Sequence, residues 1–363
     1  MTISSASLPA TDPGPEIRDL KIVLVLGGGN ALGAYHAGLY EALHDSGIEP
    51  AWIVGTSIGA VTGAIIAGNF PEDRLDRLRK LWRPADEQGW PMPWDMLPEG
   101  WRRTGAVVET LLTGRAGLFG PLGSYPAWRQ GDGAAGSPAV YDTQALSSTL
   151  QDLVDFDLLN RGPMRMTAVA VDIETGEEVL LDTARQRLSA DHIRASAALL
   201  TAYPAVEVDG RLLGDGGLSI NLPIDPVMLD PGSTPVLCIA SDLLPLSSHR
   251  PRTIGEVAGR MQDLAFAAQS RRTLSRWRTF FENGCPGRET CRSVALVTTA
   301  YRDQEQEVAG KAMDFSPRSV LQRWNSGRRD GDALVRRLRT GEITVGQTGL
   351  TLHDAAGDGR IPA

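Results

Sequence analysis

The chain reads IVLVLGGG over residues 22–29, five apolar residues that run directly into three glycines. An apolar run without polar alternation is typical of a central strand in a parallel sheet, because helices cover both faces of such a sheet. Apolar residues then recur at helical spacing between Leu32 and Leu43, and Gly47 follows as a stop signal. A second strand is predicted at 51–54 and a second helix at 58–67. This alternation predicts an α/β fold with a mostly parallel central sheet and helices on both faces.

The composition excludes several classes of protein. Hydrophobic residues make up 42% of the chain and charged residues 22%, which is typical of a folded globular protein. The net charge of −8 argues against a nucleic-acid partner. Three cysteines are too few for a disulfide framework, and Cys285 and Cys291 lack the neighbours that a zinc site needs. The first 20 residues contain no apolar signal-peptide core, so a cytoplasmic protein without a metal is expected.

Changes in composition divide the chain into four parts. We predict a flexible tail at 1–20, a catalytic core at 21–230, a C-terminal α/β extension packed on the core at 231–345, and a flexible tail at 346–363. Within the core, an insertion rich in Trp and Pro at about 83–140 lacks periodicity. It is predicted either as a lid that contacts lipid or as aromatic packing over the sheet. The other predicted elements are helices near 143–154, at 254–281 and from Ser316-Pro317, and strands at 165–171, 178–182, 205–208, 211–213, 235–240 and 293–298.

The most specific motif is Gly55-Thr56-Ser57-Ile58-Gly59, a Gly-x-Ser-x-Gly sequence between a predicted strand and a predicted helix. This context is typical of a nucleophile elbow, a strained turn that exposes a serine hydroxyl. Gly55 and Gly59 allow the strand and helix to pack closely, and the helix N-terminus favours a developing oxyanion. The motif therefore predicts that Ser57 is a nucleophile. The alternative is a serine in a tight turn without a chemical role.

A second motif is the glycine loop, residues 27–33, which ends at Gly33. The loop does not continue into the Lys-Ser/Thr of a P-loop. The next predicted strand ends without the carboxylate of a dinucleotide-binding site. The remaining functional interpretation is an oxyanion hole formed by the backbone N–H groups of Gly28, Gly29 and Asn30, because glycine leaves room for a substrate to approach the backbone.

The third motif, Asp215-Gly216-Gly217, directly follows a predicted hairpin with an Asp-Gly turn. By itself it would be interpreted as a surface turn. However, none of the five histidines stands in a sharp turn after a strand, where a hydrolase base is expected; they are His36, His44, His192, His249 and His353. An enzyme with a serine nucleophile and no histidine base needs another base, and a buried carboxylate can serve.

In this order, the three motifs resemble those of the patatin-like phospholipases, lipid acyl hydrolases with a Ser–Asp dyad. The resemblance covers about 22–223. It implies a three-layer α/β/α fold, an oxyanion hole at 28–33, Ser57 as nucleophile and Asp215 as base, with the glycines of the three motifs as structural residues. It further implies a lipid or acyl-ester substrate and no cofactor or metal. The stretch 221–223 also resembles the family's Asn-x-Pro sequence and is interpreted as structural.

Two loop positions depart from the family pattern. Asn30 replaces a third glycine, and Leu32 replaces a basic residue. Asn tolerates positive φ better than most residues, so the loop can still form. The missing cation removes stabilisation of an anionic head group or of the loop itself. The stretch 314–330 also resembles the C-terminal extension of some bacterial family members.

The predicted activity is therefore ester hydrolysis by a Ser57–Asp215 dyad, with peripheral membrane contact and oligomeric state left open. A rival enzyme is a Ser-His-Asp α/β-hydrolase that uses His192 or His249 as the base. A rival from another class is a catalytically silent protein that binds lipid or an anion through the glycine loop. A nucleotide-binding oxidoreductase ranks third.

Overall fold

In a computed structural model, the described part of the chain runs from residue 17 to 355, without residue 18, 83–95, 123–137, residue 249 and 287–290. Within that part, none of the helices has the length and apolarity needed to cross a bilayer.

The described residues form eleven strands and ten α-helices. The strands are β1 (Lys21–Leu26), β2 (Trp52–Thr56), β3 (Gly120–Pro121), β4 (Tyr141–Asp142), β5 (Arg165–Asp172), β6 (Glu178–Asp182), β7 (Val206–Val208), β8 (Arg211–Asp215), β9 (Val236–Asp242), β10 (Val294–Ala300) and β11 (Leu350–Asp354). The helices are α1 (Ala34–Asp45), α2 (Ile58–Ala67), α3 (Pro71–Trp82), α4 (Glu99–Thr113), α5 (Gln144–Leu153), α6 (Phe156–Arg161), α7 (Ala190–Ser196), α8 (Asp225–Leu229), α9 (Ile254–Glu282) and α10 (Pro317–Arg339).

The main sheet has nine strands in the order β11-β10-β9-β1-β2-β5-β8-β7, with β6 also paired to β5. The pairs from β11 to β5 are all parallel. The pairs β5–β6, β5–β8 and β7–β8 are antiparallel. Strand β1 lies between β2 and β9, so the chain after residue 231 extends the same sheet that the core begins.

The apolar run in β1 contributes to both faces of the sheet, because successive side chains of a strand point to opposite sides. Leu24 and Leu26 belong to a core that also includes buried residues of α1, α2 and α10. Val23 and Val25 belong to a second core that includes buried residues of α8 and α9. Helices therefore cover both faces, and the predicted mostly parallel α/β/α architecture is confirmed.

The strand register brings the ends of β2 and β8 close together. Thr56 of β2 pairs with Val169 of β5, and the next β5 residue, Ala170, pairs with Asp215 of β8. The chain leaves β2 at Ser57 and β8 at Asp215. Two residues that are far apart in sequence therefore flank a single intervening strand.

Several predicted elements are confirmed, including α2 at 58–67 and the start of α10 at Pro317. Others are wrong. Helix α4 lies within the stretch interpreted as lacking periodicity, and 350–354 form β11, parallel to β10, rather than part of a flexible tail. About half of the predicted insertion, including Trp90, Trp94 and Trp128, lies outside the described residues.

The cysteines also differ from expectation. Cys285 and Cys291 are joined by a disulfide at the C-terminal end of α9. The count of three cysteines predicted no framework of disulfides, but it could not exclude one local pair. Cys238 is free and fully buried in β9, as its apolar surroundings predicted.

Candidate active site

Ser57 occupies the turn between β2 and α2, with φ 57° and ψ −124°. A positive φ is unfavourable for a residue with a Cβ, and such strain is typical of a nucleophile elbow. The turn is held from a neighbouring helix, because Ser57 N donates to both the backbone oxygen and the Oγ of Ser196 in α7, at 3.1 and 3.2 Å. The geometry agrees with the elbow predicted from the sequence.

The glycines around the turn are required by close backbone contacts. A Cβ on Gly59 would lie 2.2 Å from the carbonyl oxygen of Leu26, and a Cβ on Gly55 would lie 2.5 Å from the backbone of Gly59. A Cβ on Gly28 would lie 3.1 Å from Cβ of Ser57. Because a side chain at these positions would push the elements apart, the glycines bring the glycine loop against the elbow.

Asp215 ends β8 and lies beside Ser57. Its side chain accepts from Gly217 N at 2.7 Å, and it lines the same cavity as Ser57, whose hydroxyl is close enough to affect its pKa. The residue is only 3% exposed. The structure therefore brings together the hydroxyl and the carboxylate that the sequence analysis paired.

Burial changes the chemistry of this carboxylate. Burial raises the pKa of Asp215 to about 6, although interactions with the Ser57 hydroxyl and with Gly217 N act to lower it. At pH 7, a group with that pKa is still about nine-tenths ionised. Asp215 is therefore a stronger base than an exposed aspartate, yet it remains ready to accept a proton at neutral pH.

The three amides predicted for the oxyanion hole are not equivalent. Gly28 N donates to the backbone oxygen of Asn221 at 3.2 Å, and Asn221 Nδ2 donates back to Gly28 O at 3.4 Å. Among the described residues, no hydrogen-bond partner is found for the backbone N–H of Gly29 or Asn30. Asn30 has a positive φ of 51°, which its side chain tolerates. Gly28 is therefore a position where the loop backbone lies close to Ser57. The backbone N–H groups of Gly29 and Asn30 remain available to donate to a ligand.

Ser57, Asp215 and the glycine loop line one cavity of about 170 Å³. Its wall is mainly apolar and comes from several elements: Val61, Leu118, Phe119, Leu146, Leu199, Tyr203, Leu244, Phe266 and Met313. A cavity with a few convergent polar groups in an apolar wall is typical of a site for a largely apolar ligand.

Among the residues that the structure describes, no histidine lines this cavity. His36 is fully buried with Nε2 3.3 Å from the Ser241 oxygen, and burial lowers its pKa to about 3. His192 caps the start of α7: its Nδ1 accepts from Ser189 N at 3.1 Å and its Nε2 lies 3.2 Å from Asp209. His192 therefore has a structural role, and His249 lies outside the described residues.

Sequence analysis missed most of the cavity wall. Tyr203 and Met313 both contact Asn30, whose Nδ2 donates to Tyr203 Oη at 3.2 Å and to Met313 Sδ at 3.5 Å. Phe266 comes from α9, and Asn221 supports Gly28 as described above. No motif surrounds Phe266 or Met313, so a single sequence offers no signal for them.

Comparisons with known proteins bear on the family to which this chain belongs. A family model described as Patatin-like phospholipase matches residues 24–228, which is more than half of the chain and includes Ser57 and Asp215. An uncharacterized NTE family protein of Mycobacterium tuberculosis (strain ATCC 25618 / H37Rv) is 29% identical over 207 residues, covering 57% of this chain and 45% of that protein. Lysophospholipase NTE1 of Saccharomyces cerevisiae is 34% identical over 211 residues, covering 56% of this chain and 10% of that protein.

The chain thus spans less than half the length of these two curated relatives. Among solved structures, VipD from Legionella pneumophila has a TM-score of 0.36 at 17% identity, covering 86% of this chain and 67% of the VipD chain. Because the family match extends over more than half of its length, this chain belongs to the patatin-like phospholipase family.

Proposed function

We propose that the protein hydrolyses acyl esters of lipids through a dyad of Ser57 and Asp215. The proximity of these two side chains in the wall of one apolar cavity is the observation that carries the proposal. Ser57 Oγ attacks the ester carbonyl carbon while its proton passes to Asp215. The tetrahedral intermediate then collapses, the bond to the alcohol oxygen breaks, and Asp215 returns the proton to the leaving alcohol.

Water completes the reaction by the same route. It attacks the acyl-enzyme carbonyl and gives a proton to Asp215, and the bond to Ser57 Oγ breaks as that oxygen regains the proton. The products are a carboxylic acid and free enzyme. A pKa near 6 suits Asp215 to both roles, because the group can accept and release a proton near neutral pH.

The oxyanion is assigned to the backbone N–H groups of Gly29 and Asn30. Both residues line the cavity, and both amides lack a partner among the described residues. Gly28 is not assigned to the oxyanion, because its N–H already donates to the Asn221 oxygen. Its lack of a side chain instead allows the loop to lie close to Ser57. A donor of this kind contributes on the order of 3 kcal/mol in the transition state.

Covalent labelling tests the dyad directly. A fluorophosphonate probe should phosphonylate Ser57, and mass mapping of the modified peptide identifies the residue. Asp215→Asn should slow labelling strongly, because the nucleophile then lacks its base, whereas His192→Ala should not. Failure of the probe to label Ser57 in the folded protein favours the alternative of a silent lipid- or anion-binding protein.

We further propose that α9 contacts a lipid surface beside the cavity. Four apolar side chains on one face of its N-terminal half are each at least 43% exposed: Ile254, Val257, Met261 and Leu264. Leu274, in the C-terminal half of the same helix, is by contrast buried. Gln262 and Phe266 in the same half of the helix line the cavity, so one helix carries both the exposed stripe and part of the cavity wall. Exposed apolar patches of this kind are typical of interaction surfaces.

Co-sedimentation with phosphatidylcholine vesicles tests this contact. Met261→Glu should reduce the bound fraction, because it places a charge in the apolar stripe. Thr279→Glu, at an exposed position in the C-terminal half of the same helix, is the matched control. Equal vesicle binding by the two variants contradicts the proposal.

A further inference from the structure

Arg323 in α10 is fully buried and uses all five of its N–H donors. Nε and Nη2 donate to the two carboxylate oxygens of Glu307 at 2.9 and 2.8 Å. The other three donors reach backbone carbonyls: Lys311 O at 3.1 Å, Asp314 O at 2.7 Å and Ala31 O at 3.2 Å. A guanidinium suits this arrangement because its donors are held in a rigid plane.

The three carbonyls belong to two segments of the cavity wall. Ala31 is in the glycine loop, directly after Asn30, whose N–H is assigned to the oxyanion. Lys311 and Asp314 bracket Ala312 and Met313, which also line the cavity. One side chain therefore fixes the glycine loop relative to the segment 311–314.

The position of Arg323 is itself rigid. Helix α10 packs against α1, the helix that follows the glycine loop, with their backbones in direct contact. A Cβ on Gly327 of α10 would lie 2.0 Å from the carbonyl oxygen of Tyr35, and a Cβ on Gly38 of α1 would lie 1.9 Å from that of Trp324. The glycine loop contains no basic residue of its own between 27 and 33, so the cation that holds it comes from α10.

We propose that Arg323 is a positioning residue for the oxyanion hole: it holds the Ala31 carbonyl and thereby sets where the Gly29 and Asn30 amides point. This inference rests on the proposed function, because it gives those amides their role. Oxyanion donors act only when they are aimed at the position of the developing charge. A displacement of about 1 Å can cost on the order of 100-fold in rate.

Arg103 provides a matched control. Like Arg323 it is fully buried and binds Glu307, with Nη1 to Oε2 at 2.8 Å. Its other hydrogen bonds go to the side chains of Glu99 and Gln322. It therefore shares the burial and the ion-pair partner of Arg323, but its hydrogen bonds do not reach the glycine loop.

The experiment compares Arg323→Lys with Arg103→Lys in the full-length protein. Lysine keeps the charge beside Glu307, but its single nitrogen cannot span the carbonyls that the guanidinium joins. We expect R323K to lower kcat for ester hydrolysis by about 10- to 100-fold with KM within about 3-fold, because oxyanion contacts act mainly in the transition state. R103K should keep kcat within about 3-fold of the wild type at a temperature where both variants are folded.

A second readout does not depend on activity. Backbone amide exchange in the peptide covering 27–33 should be faster in R323K than in R103K, by about 10-fold, because the loop loses its fixed carbonyl. Equal exchange in the two variants overturns the inference, as does an equal kcat. If the wild type shows no hydrolysis that depends on Ser57, the proposed function fails, and the exchange comparison still decides whether Arg323 holds the loop.

Discussion

The family-matched core and the segment that follows it contribute to the cavity in different ways. The core, 24–228, supplies the groups that we propose to react, and each stands in a short motif at the end of a strand. The following segment supplies β9, β10 and β11 to the same sheet, and Phe266 and Met313 to the cavity wall. The core therefore determines which chemistry is available, whereas the later segment determines the shape of the site around it.

This difference is reflected in how each region is held together. Ser57 and Asp215 are placed by strand register, by the hydrogen bonds from Ser57 N to Ser196, and by the one from Gly217 N to the Asp215 carboxylate. The wall segment 311–314 is held by a side chain, Arg323, that also reaches the glycine loop. Replacing the side chain of Ser57 or Asp215 should therefore suppress the chemistry without unfolding the protein, and substitutions elsewhere should act through position or stability.

The largest effect is expected for Ser57→Ala. Removing the nucleophile should lower kcat/KM for a p-nitrophenyl acyl ester by about 10⁴-fold or more, because only binding and oxyanion contacts remain. The thermal unfolding midpoint should not fall, because alanine loses no packing at this partly exposed turn. Ser219→Ala is the control, since its hydroxyl bonds to Glu178 away from the cavity and its loss should leave the rate unchanged. Retained hydrolysis in S57A would refute the dyad.

Asp215→Asn should lower kcat by about 10³-fold and yet stabilise the protein at pH 8. The folded pKa of Asp215, about 6, is above the ordinary aspartate value of 3.8. Above pH 6 the native state therefore carries an unfavourable buried charge that asparagine removes. Allowing for weaker hydrogen bonds, we expect a gain of about 1–2 kcal/mol in the free energy of unfolding. The gain should vanish as the pH falls from 6 to about 4, because the wild type then takes up the proton in its native state.

Asp182 is the matched control for that experiment, because it is also buried but has the opposite shift. Although burial acts to raise it, the hydrogen bonds from Arg165 lower the pKa of Asp182 overall. Asp182→Asn should therefore lower the free energy of unfolding at pH 8. Urea unfolding followed by circular dichroism measures this change. If both variants change stability in the same direction, the burial of an unpaired charge at Asp215 is not the cause.

The pH dependence of activity should report the same carboxylate. Because the base must be ionised to accept the Ser57 proton, kcat/KM should be constant above about pH 7 and fall by about 10-fold per unit below pH 6. Initial rates on the same ester between pH 4 and 8 measure the midpoint. A midpoint near 4 would mean that the carboxylate that accepts the proton is exposed to solvent.

The motifs were predictable because each depends on local stereochemistry. A strand, a tight turn and a small-residue helix require glycines at fixed offsets around Ser57, and these remain visible in one sequence. Asp215 was identified by a turn motif together with the lack of a suitable histidine. The unequal roles of Gly28 and Gly29 were not predictable, because they depend on a hydrogen bond to Asn221, which lies much later in the chain.

Long-range packing explains the failures. The apolar residues of α9 have helical spacing, but spacing alone does not say whether a partner covers the stripe, and most of it is exposed. Residues 350–354 were predicted to belong to a flexible tail because Gly and Asp are frequent nearby. They instead form a strand that pairs with β10 at the edge of the sheet. Arg323 was one of many arginines in the sequence, and its contact with Ala31 spans 292 positions.

The smallest effect on activity is expected for His192→Ala, although a serine hydrolase is usually assumed to need a histidine. Its Nδ1 accepts from Ser189 N and its Nε2 faces Asp209, so the ring serves the start of α7. Loss of this cap should lower the free energy of unfolding by about 1 kcal/mol. Hydrolysis by the folded fraction should stay within about 3-fold of the wild type, a modest loss because α7 also holds Ser57 N through Ser196. A loss of kcat comparable to that of D215N, measured where H192A is fully folded, would transfer the role of base from the carboxylate to the imidazole.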